Sequence, residues 1–204
     1  MTPCFKSLKV FLAFFCLHIN LAAESNPHKF IDSQAQEMVS IIINNQSLFV
    51  EDPEMFKDKI SMIFEPMVDF RRVGASVMGK KYYLASSKSQ RLEFIQAFKN
   101  SLLDTYTSTL AQWGDQKIVT IFPEVSEYKK TEDVQQNLIT ASNIYPITYK
   151  VRKNKNGDWL IINIIVNGVN LGLTFRNQFQ ALAKEHNENI DKIIEHWTSD
   201  ADLN

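Results

Sequence analysis

The sequence predicts an α+β fold, with helices packed on one side of a curved antiparallel sheet of about four strands. Three observations carry the prediction. Apolar residues recur at helical spacing as far as Gly114. From Ile118 the period changes to two, and an Asn156-Gly157 pair separates two apolar runs, a strong hairpin signal. After Gly168 helical spacing returns. No Pro/Ser-rich linker or internal repeat divides the 204 residues, so a single domain is expected.

The first stretch is not expected to belong to that fold. Lys6 and Lys9 precede an apolar run over residues 10–19, and Ala22-Ala23 supplies small residues for cleavage. This reads as a signal peptide over residues 1–23, leaving 24–204 as the folded domain. The run is shorter than the roughly 20 residues of a membrane span. Without it the chain holds 20 basic and 23 acidic residues, and both cysteines, Cys4 and Cys16, are gone. A net charge of −3 gives no bulk attraction to nucleic acid. The missing thiols rule out disulfides, cysteine-ligated metal and a cysteine nucleophile in the mature chain.

The helices follow in order. Residues 30–48 carry Ile31, Ala35, Met38, Val39, Ile42 and Ile43 at helical spacing. Asp52-Pro53 reads as a helix start, since Asp caps and Pro fits the first turn. Phe56, Ile60, Ile63 and Phe64 share the inner face of that helix, and Pro66 ends it. Phe70, Val73, Val77 and Met78 line the next helix, which Gly79 is expected to stop. Ser87 and Gln90 match a capping box. The helix they open runs to about Trp113, striped by Phe94, Ile95, Phe98, Leu102, Tyr106 and Leu110. At about 38 Å it is long enough to lie across a whole sheet.

Strands are expected over 118–122, 134–144, 145–152 and from Trp159. In the third, Tyr145, Ile147, Tyr149 and Val151 alternate with Pro146, Thr148, Lys150 and Arg152, giving one apolar and one wet face. The last strand barely alternates: Trp159-Leu-Ile-Ile-Asn-Ile-Ile-Val166 is apolar on both faces, so each needs a cover. Beyond it, Leu171, Phe175, Phe179 and Leu182 form one helix face, and Ile190, Ile193, Ile194 and Trp197 another.

No catalytic residue, metal or cofactor is assigned. There is no Gly-x-Ser-x-Gly elbow and no phosphate-binding glycine loop among the 6 scattered glycines. His28, His186 and His196 have no metal-ligand spacing and are expected on helix surfaces. Arg71 and Arg72 fall on the outer side of a helix whose inner face holds Phe70 and Val73. The apolar surplus has two readings, a packed core or the lining of an apolar cavity between sheet and helices, and composition leaves both open.

Three segments resemble the MlaC family, the toluene-tolerance auxiliary proteins. Val68-Asp-Phe-Arg-Arg-Val-Gly-Ala-Ser-Val-Met-Gly79 is similar to the family's Phe-Asp-Phe motif with its following Leu-Gly. Gln90-Arg-Leu-Glu-Phe-Ile-Gln-Ala-Phe98, with Leu102, Leu103, Thr105 and Tyr106, is similar to its Gln/Phe/Phe/Leu/Tyr helix. The third and most specific segment matches at Trp159, Ile161, Ile164, Val166, Gly168, Val169, Leu171, Arg176, Gln178 and Phe179. The departures are Asn163 for the family's Asp, Asn170 for Ser, Phe175 for Tyr and Tyr82 for Trp.

The resemblance implies a cone-like fold related to the nuclear-transport-factor-two class. It implies a soluble periplasmic protein holding phospholipid acyl chains in a deep apolar pocket. Its partners would be an outer-membrane lipoprotein–porin complex and an inner-membrane ABC transporter with lipid-binding MCE subunits. Expected near the lipid are Phe70, Val73, Val77, Phe94, Phe98, Leu102, Tyr106, Tyr149, Ile161, Val166 and Phe175. Arg71, Arg72 and Arg176 are the candidates for headgroup or partner contact. The rival readings are an enzyme on the same cone, resting on Asp69 or Asp158, and a binding module for a hopanoid or another apolar ligand.

Overall fold

A computed structural model describes residues 26–125 and 127–199; the expected signal peptide lies outside them. Five helices come first. They are α1 (Pro27–Asn44), α2 (Gln46–Glu51), α3 (Pro53–Met67), α4 (Phe70–Ala85) and α5 (Lys88–Ala111). The strands are β1 (Lys117–Ile121), β2 (Thr131–Ile139), β3 (Ile144–Lys153), β4 (Trp159–Val166) and β5 (Val169–Asn170). Helices α6 (Leu171–Glu185) and α7 (Ile190–Glu195) close the order. The fold class is the predicted α+β. Every strand pairs antiparallel with its neighbour in chain order, which makes a simple meander.

Local chemistry sets most boundaries. Asp52 accepts from the Met55 N–H and Asp69 from the Arg72 N–H, each tying down an otherwise unpaired first-turn donor. The Ser87/Gln90 box forms as read. The Asn154 side chain accepts from the Asn156 and Asp158 N–H groups, shaping a five-residue β3–β4 loop in which Gly157 takes φ 95°. Asn167 (φ 48°) and Gly168 (φ 84°) make a second Asn-Gly reversal, which adds the short β5 that the sequence reading lacked.

Three expectations are corrected. The first helix is split at Asn45, whose side chain donates to Ile41 O. Gly79 does not stop α4; at φ 70°, ψ 165° it kinks the chain, which resumes as helix to Ala85. The long α5 does not lie on the sheet but packs against α3, α4 and α7. A further correction concerns His28, which is buried rather than on a surface. Its Nδ1 lies 3.1 Å from Ile121 O, with its ring beside Phe122 and Tyr128.

The near-continuous apolar run of β4 has a geometric explanation. Val151 pairs with Ile161, but Lys150 pairs with Asn163, so Ile162 is left over as a bulge. Inward positions are odd before it, at Trp159 and Ile161, and even after it, at Ile164 and Val166. Much of the apparent second apolar face is therefore the same face, continued in the opposite parity. Leu160, Ile162 and Ile165, on the other side, are half-buried, as are the cavity-lining Ile164 and Val166.

Candidate binding site

The sheet and the helices do not close on each other. Between them lies a cavity of about 310 Å³. Its floor is β3 and β4, through Ile147, Tyr149, Ile161, Ile164 and Val166. Its roof is the C-terminal half of α5, through Phe98, Leu102, Leu103, Tyr106, Thr107 and Leu110. Met38, Ile60, Phe64, Val68 and Val73 wall one side; Leu171, Gly172 and Phe175 wall the other. A single water needs about 10–15 Å³ of such space, so the cavity admits on the order of 20 water-sized groups. Burial pushes the Tyr149 hydroxyl above the usual phenol range, so it stays protonated and uncharged.

The polar exception in the floor is Asn163. Its Oδ1 accepts from the Gly172 N–H at 3.0 Å, and its Nδ2 donates to Asn170 Oδ1 at 3.0 Å. Asn170 Oδ1 also accepts from the Leu173 N–H. Two neutral amides thus satisfy the first donors of α6 and pin that helix to β4. A Cβ at Gly172 would lie 2.5 Å from Asn163 Oδ1, so a side chain there would push the amide away.

Beside the cavity is a wider, open cleft of about 1020 Å³ lined by Arg71, Arg72, Lys80, Lys150 and Arg176, with Asp69 as its carboxylate. Cavity and cleft share Val73, Asn163 and Gly172. The start of α4 is fixed to the floor here: Val68 bridges to Ile161, and the Asp69 N–H donates to Ile161 O at 3.0 Å. An apolar chamber and a basic surface therefore meet along one boundary.

Eight of the eleven residues expected near a ligand line the cavity: Val73, Phe98, Leu102, Tyr106, Tyr149, Ile161, Val166 and Phe175. The other three are corrections. Val77 and Phe94 are fully buried in a core made by α4, α5, α6 and α7. Phe70 packs onto that core, edge-on to Phe64 and Phe98. Arg71, Arg72 and Arg176 all line the cleft. The sequence reading missed Met38, Ile60, Phe64, Val68, Leu103, Thr107, Leu110, Ile147, Ile164, Leu171 and Gly172, and saw Asn163 only as a departure from the family. Met38, Ile60, Phe64, Leu110, Ile147 and Leu171 lay on stripes already recognised, and that signal could have found them. Asp69 caps α4 in the open cleft and Asp158 is exposed in the β3–β4 loop; neither lines the cavity.

Fold and site together define a binding protein built around a partly open apolar chamber with a basic rim. The chain belongs to the MlaC protein family, whose model matches residues 32–199. It is 30% identical over 197 residues to the toluene tolerance protein Ttg2D of Pseudomonas putida, covering 96% of this chain and 89% of that one. It is 28% identical over 199 residues to the intermembrane phospholipid transport system binding protein MlaC of Haemophilus influenzae, covering 93% and 89%. Among solved structures it is similar to a phospholipid-binding protein from Ralstonia solanacearum in complex with a phospholipid. The TM-score is 0.74 at 18% identity, over 82% of this chain and 92% of that one.

Proposed function

We propose that this protein is a periplasmic phospholipid-binding shuttle. It carries lipid between an outer-membrane lipoprotein–porin complex and an inner-membrane ABC transporter with MCE subunits, and so maintains outer-membrane lipid asymmetry. The observation that carries the reading is the shared boundary of cavity and cleft at Val73, Asn163 and Gly172. An amphiphile with an apolar tail and a charged phosphate head matches both compartments at once. The phospholipid named for the Haemophilus and Ralstonia relatives supports the same ligand class.

The energetics suit a carrier. Each buried methylene is worth about 0.8 kcal/mol, so a chamber for on the order of 20 such groups holds an acyl chain strongly. Release then needs partners that bind an opened state better than the closed one. Val73, Phe98, Leu102, Tyr106, Tyr149, Ile161, Val166 and Phe175 contact the chain, and Arg71, Arg72 and Arg176 face the headgroup or a partner. No covalent step is required.

The test is native mass spectrometry on protein purified without delipidation. The expected result is a mass increment that extraction identifies as phospholipid. Apo protein alone would overturn the proposal, and an extracted hopanoid would replace its ligand.

A further inference from the structure

Resting on that reading of the cavity, we propose that the cleft makes the protein selective for lipids with an anionic headgroup. Such a headgroup is a phosphodiester without a compensating amine, as in phosphatidylglycerol. A zwitterionic lipid with the same chains binds less well.

The argument starts from which charges in the cleft are free. Arg72 Nε lies 3.3 Å from Asp69, and Lys150 lies 3.6 Å from Asp133. Arg71, Lys80 and Arg176 have no carboxylate within 4.0 Å among the described residues. Three cations therefore face the cleft uncompensated, in a chain whose formal net charge is −1. The clustering is local and owes nothing to bulk charge. A concave surface lined by five cations and one carboxylate carries a net positive field that is concentrated on whatever enters.

The carboxylate inventory decides the headgroup class. A phosphate oxygen in the cleft finds donors on Arg71, Lys80 and Arg176. An ammonium beside that phosphate needs an acceptor. The cleft's own carboxylate is Asp69, which already accepts from the Arg72 backbone N–H at 3.0 Å and from the Arg72 side chain. The amine of a zwitterionic head thus meets cations and no carboxylate that is not already ion-paired.

The backbone helps to place one of the three. A Cβ at Gly79 would lie 3.2 Å from Arg176 Nη2, so the guanidinium rests against the bare α-carbon of the α4 kink. The missing side chain at Gly79 leaves the space that the Arg176 guanidinium occupies.

The experiment loads the full-length protein from vesicles of equimolar phosphatidylglycerol and phosphatidylethanolamine with identical chains. Bound lipid is then extracted and quantified by mass spectrometry. The expected bound ratio is about five-fold in favour of phosphatidylglycerol, the scale of one charge–charge contact at a protein surface. It falls toward one in the double variant Arg71→Gln/Arg176→Gln. It also falls in the unaltered protein at about 1 M salt, where the screening length is about 3 Å. Lys155→Gln, on the β3–β4 loop away from the cleft, keeps the starting ratio. A ratio of one in the unaltered protein, or an undiminished ratio in the double variant, overturns the selectivity and leaves phospholipid binding standing. Micromolar binding of inorganic phosphate to the lipid-free protein assigns the cleft to a free anion and overturns it too. If neither lipid is bound, the proposed function itself fails, and the selectivity with it.

Discussion

Two apolar regions of the described residues are similar in composition and opposite in character. In the first, α4, α5, α6 and α7 lock together through aromatic rings. Phe94 meets Phe179 edge-on at 5.0 Å and Trp197 at 5.1 Å, and Phe98 meets Phe175 at 5.4 Å. In the second, between α5 and strands β3 and β4, equally apolar side chains stand apart around about 310 Å³ of space. Phe98 belongs to both. The difference teaches that burial and vacancy are set by what stands opposite a residue, not by the residue. Along the single stripe of α5, Phe94 is sealed against α6 and α7, while Leu102 and Tyr106 pack on that core and, with Leu110, also border the cavity.

The contrast is most sharply tested by truncating each interior. Phe94→Ala should cost about 3–5 kcal/mol, because it opens a hole where rings interlock. Leu102→Ala should cost well under half of that, since its side chain already borders empty space. Equal costs by urea denaturation would erase the distinction. Gly79→Ala comes next, at about 1–3 kcal/mol, because φ 70° with ψ 165° is a region that essentially only glycine adopts. That loss should fall on the packed half, and hydrogen exchange should show it in α4 and α6 before the sheet.

Asn163→Ala is expected to cost about 1 kcal/mol, since it strips the Gly172 N–H and Asn170 of a partner at the boundary of the two compartments. Bound lipid should fall more than stability does, which native mass spectrometry on the same preparation would show. The smallest effect concerns the open half. Helix α1 contributes Met38 to the cavity, and His28 holds it to the end of β1. Burial holds the His28 imidazole below the usual histidine range, outweighing the upward pull of the Ile121 carbonyl and the Glu132 charge. A lowered folded pKa means that the unfolded chain takes the proton first. This contribution is therefore present at neutral pH and lost as pH falls through about 6.5, the unperturbed histidine value, toward the folded value. Exchange protection of α1 should weaken over that range, and His28→Gln should abolish the dependence. Equal weakening in α6 would show that the two halves do not open separately.

Much of the fold was legible because periodicity and capping are local. Asp52, Ser87 with Gln90, and the switch at Gly114 placed helix starts and the onset of the sheet from a few residues each. Gly79 was legible as a break but not as a kink, because whether a chain stops or bends at a glycine depends on what the following turn packs against. Here Tyr82, just beyond the kink, packs on Phe179 of α6. The candidate site was legible as a set of apolar stripes. Phe70, Val77 and Phe94 share those stripes with true lining residues, and only the position of α6 and α7 separates them. Asn163 stood out in the sequence as a departure, but its bonds to Asn170 and Gly172 depend on how β5 turns the chain into α6.

The unpaired Ile162 has a consequence for how such a chamber changes over evolutionary time. Substitutions at Ile164 or Val166 can enlarge or shrink the wall by a few atoms. Losing the one residue at the bulge would restore strict alternation with Ile164 still opposite Tyr149 and Val166 still opposite Ile147, so the inward set would stand unchanged. The lining of the chamber is thus tied to the pairing with β3 rather than to a count of residues along β4, and a change of three nucleotides in length at this point would reach it less than an exchange of one inward side chain for another.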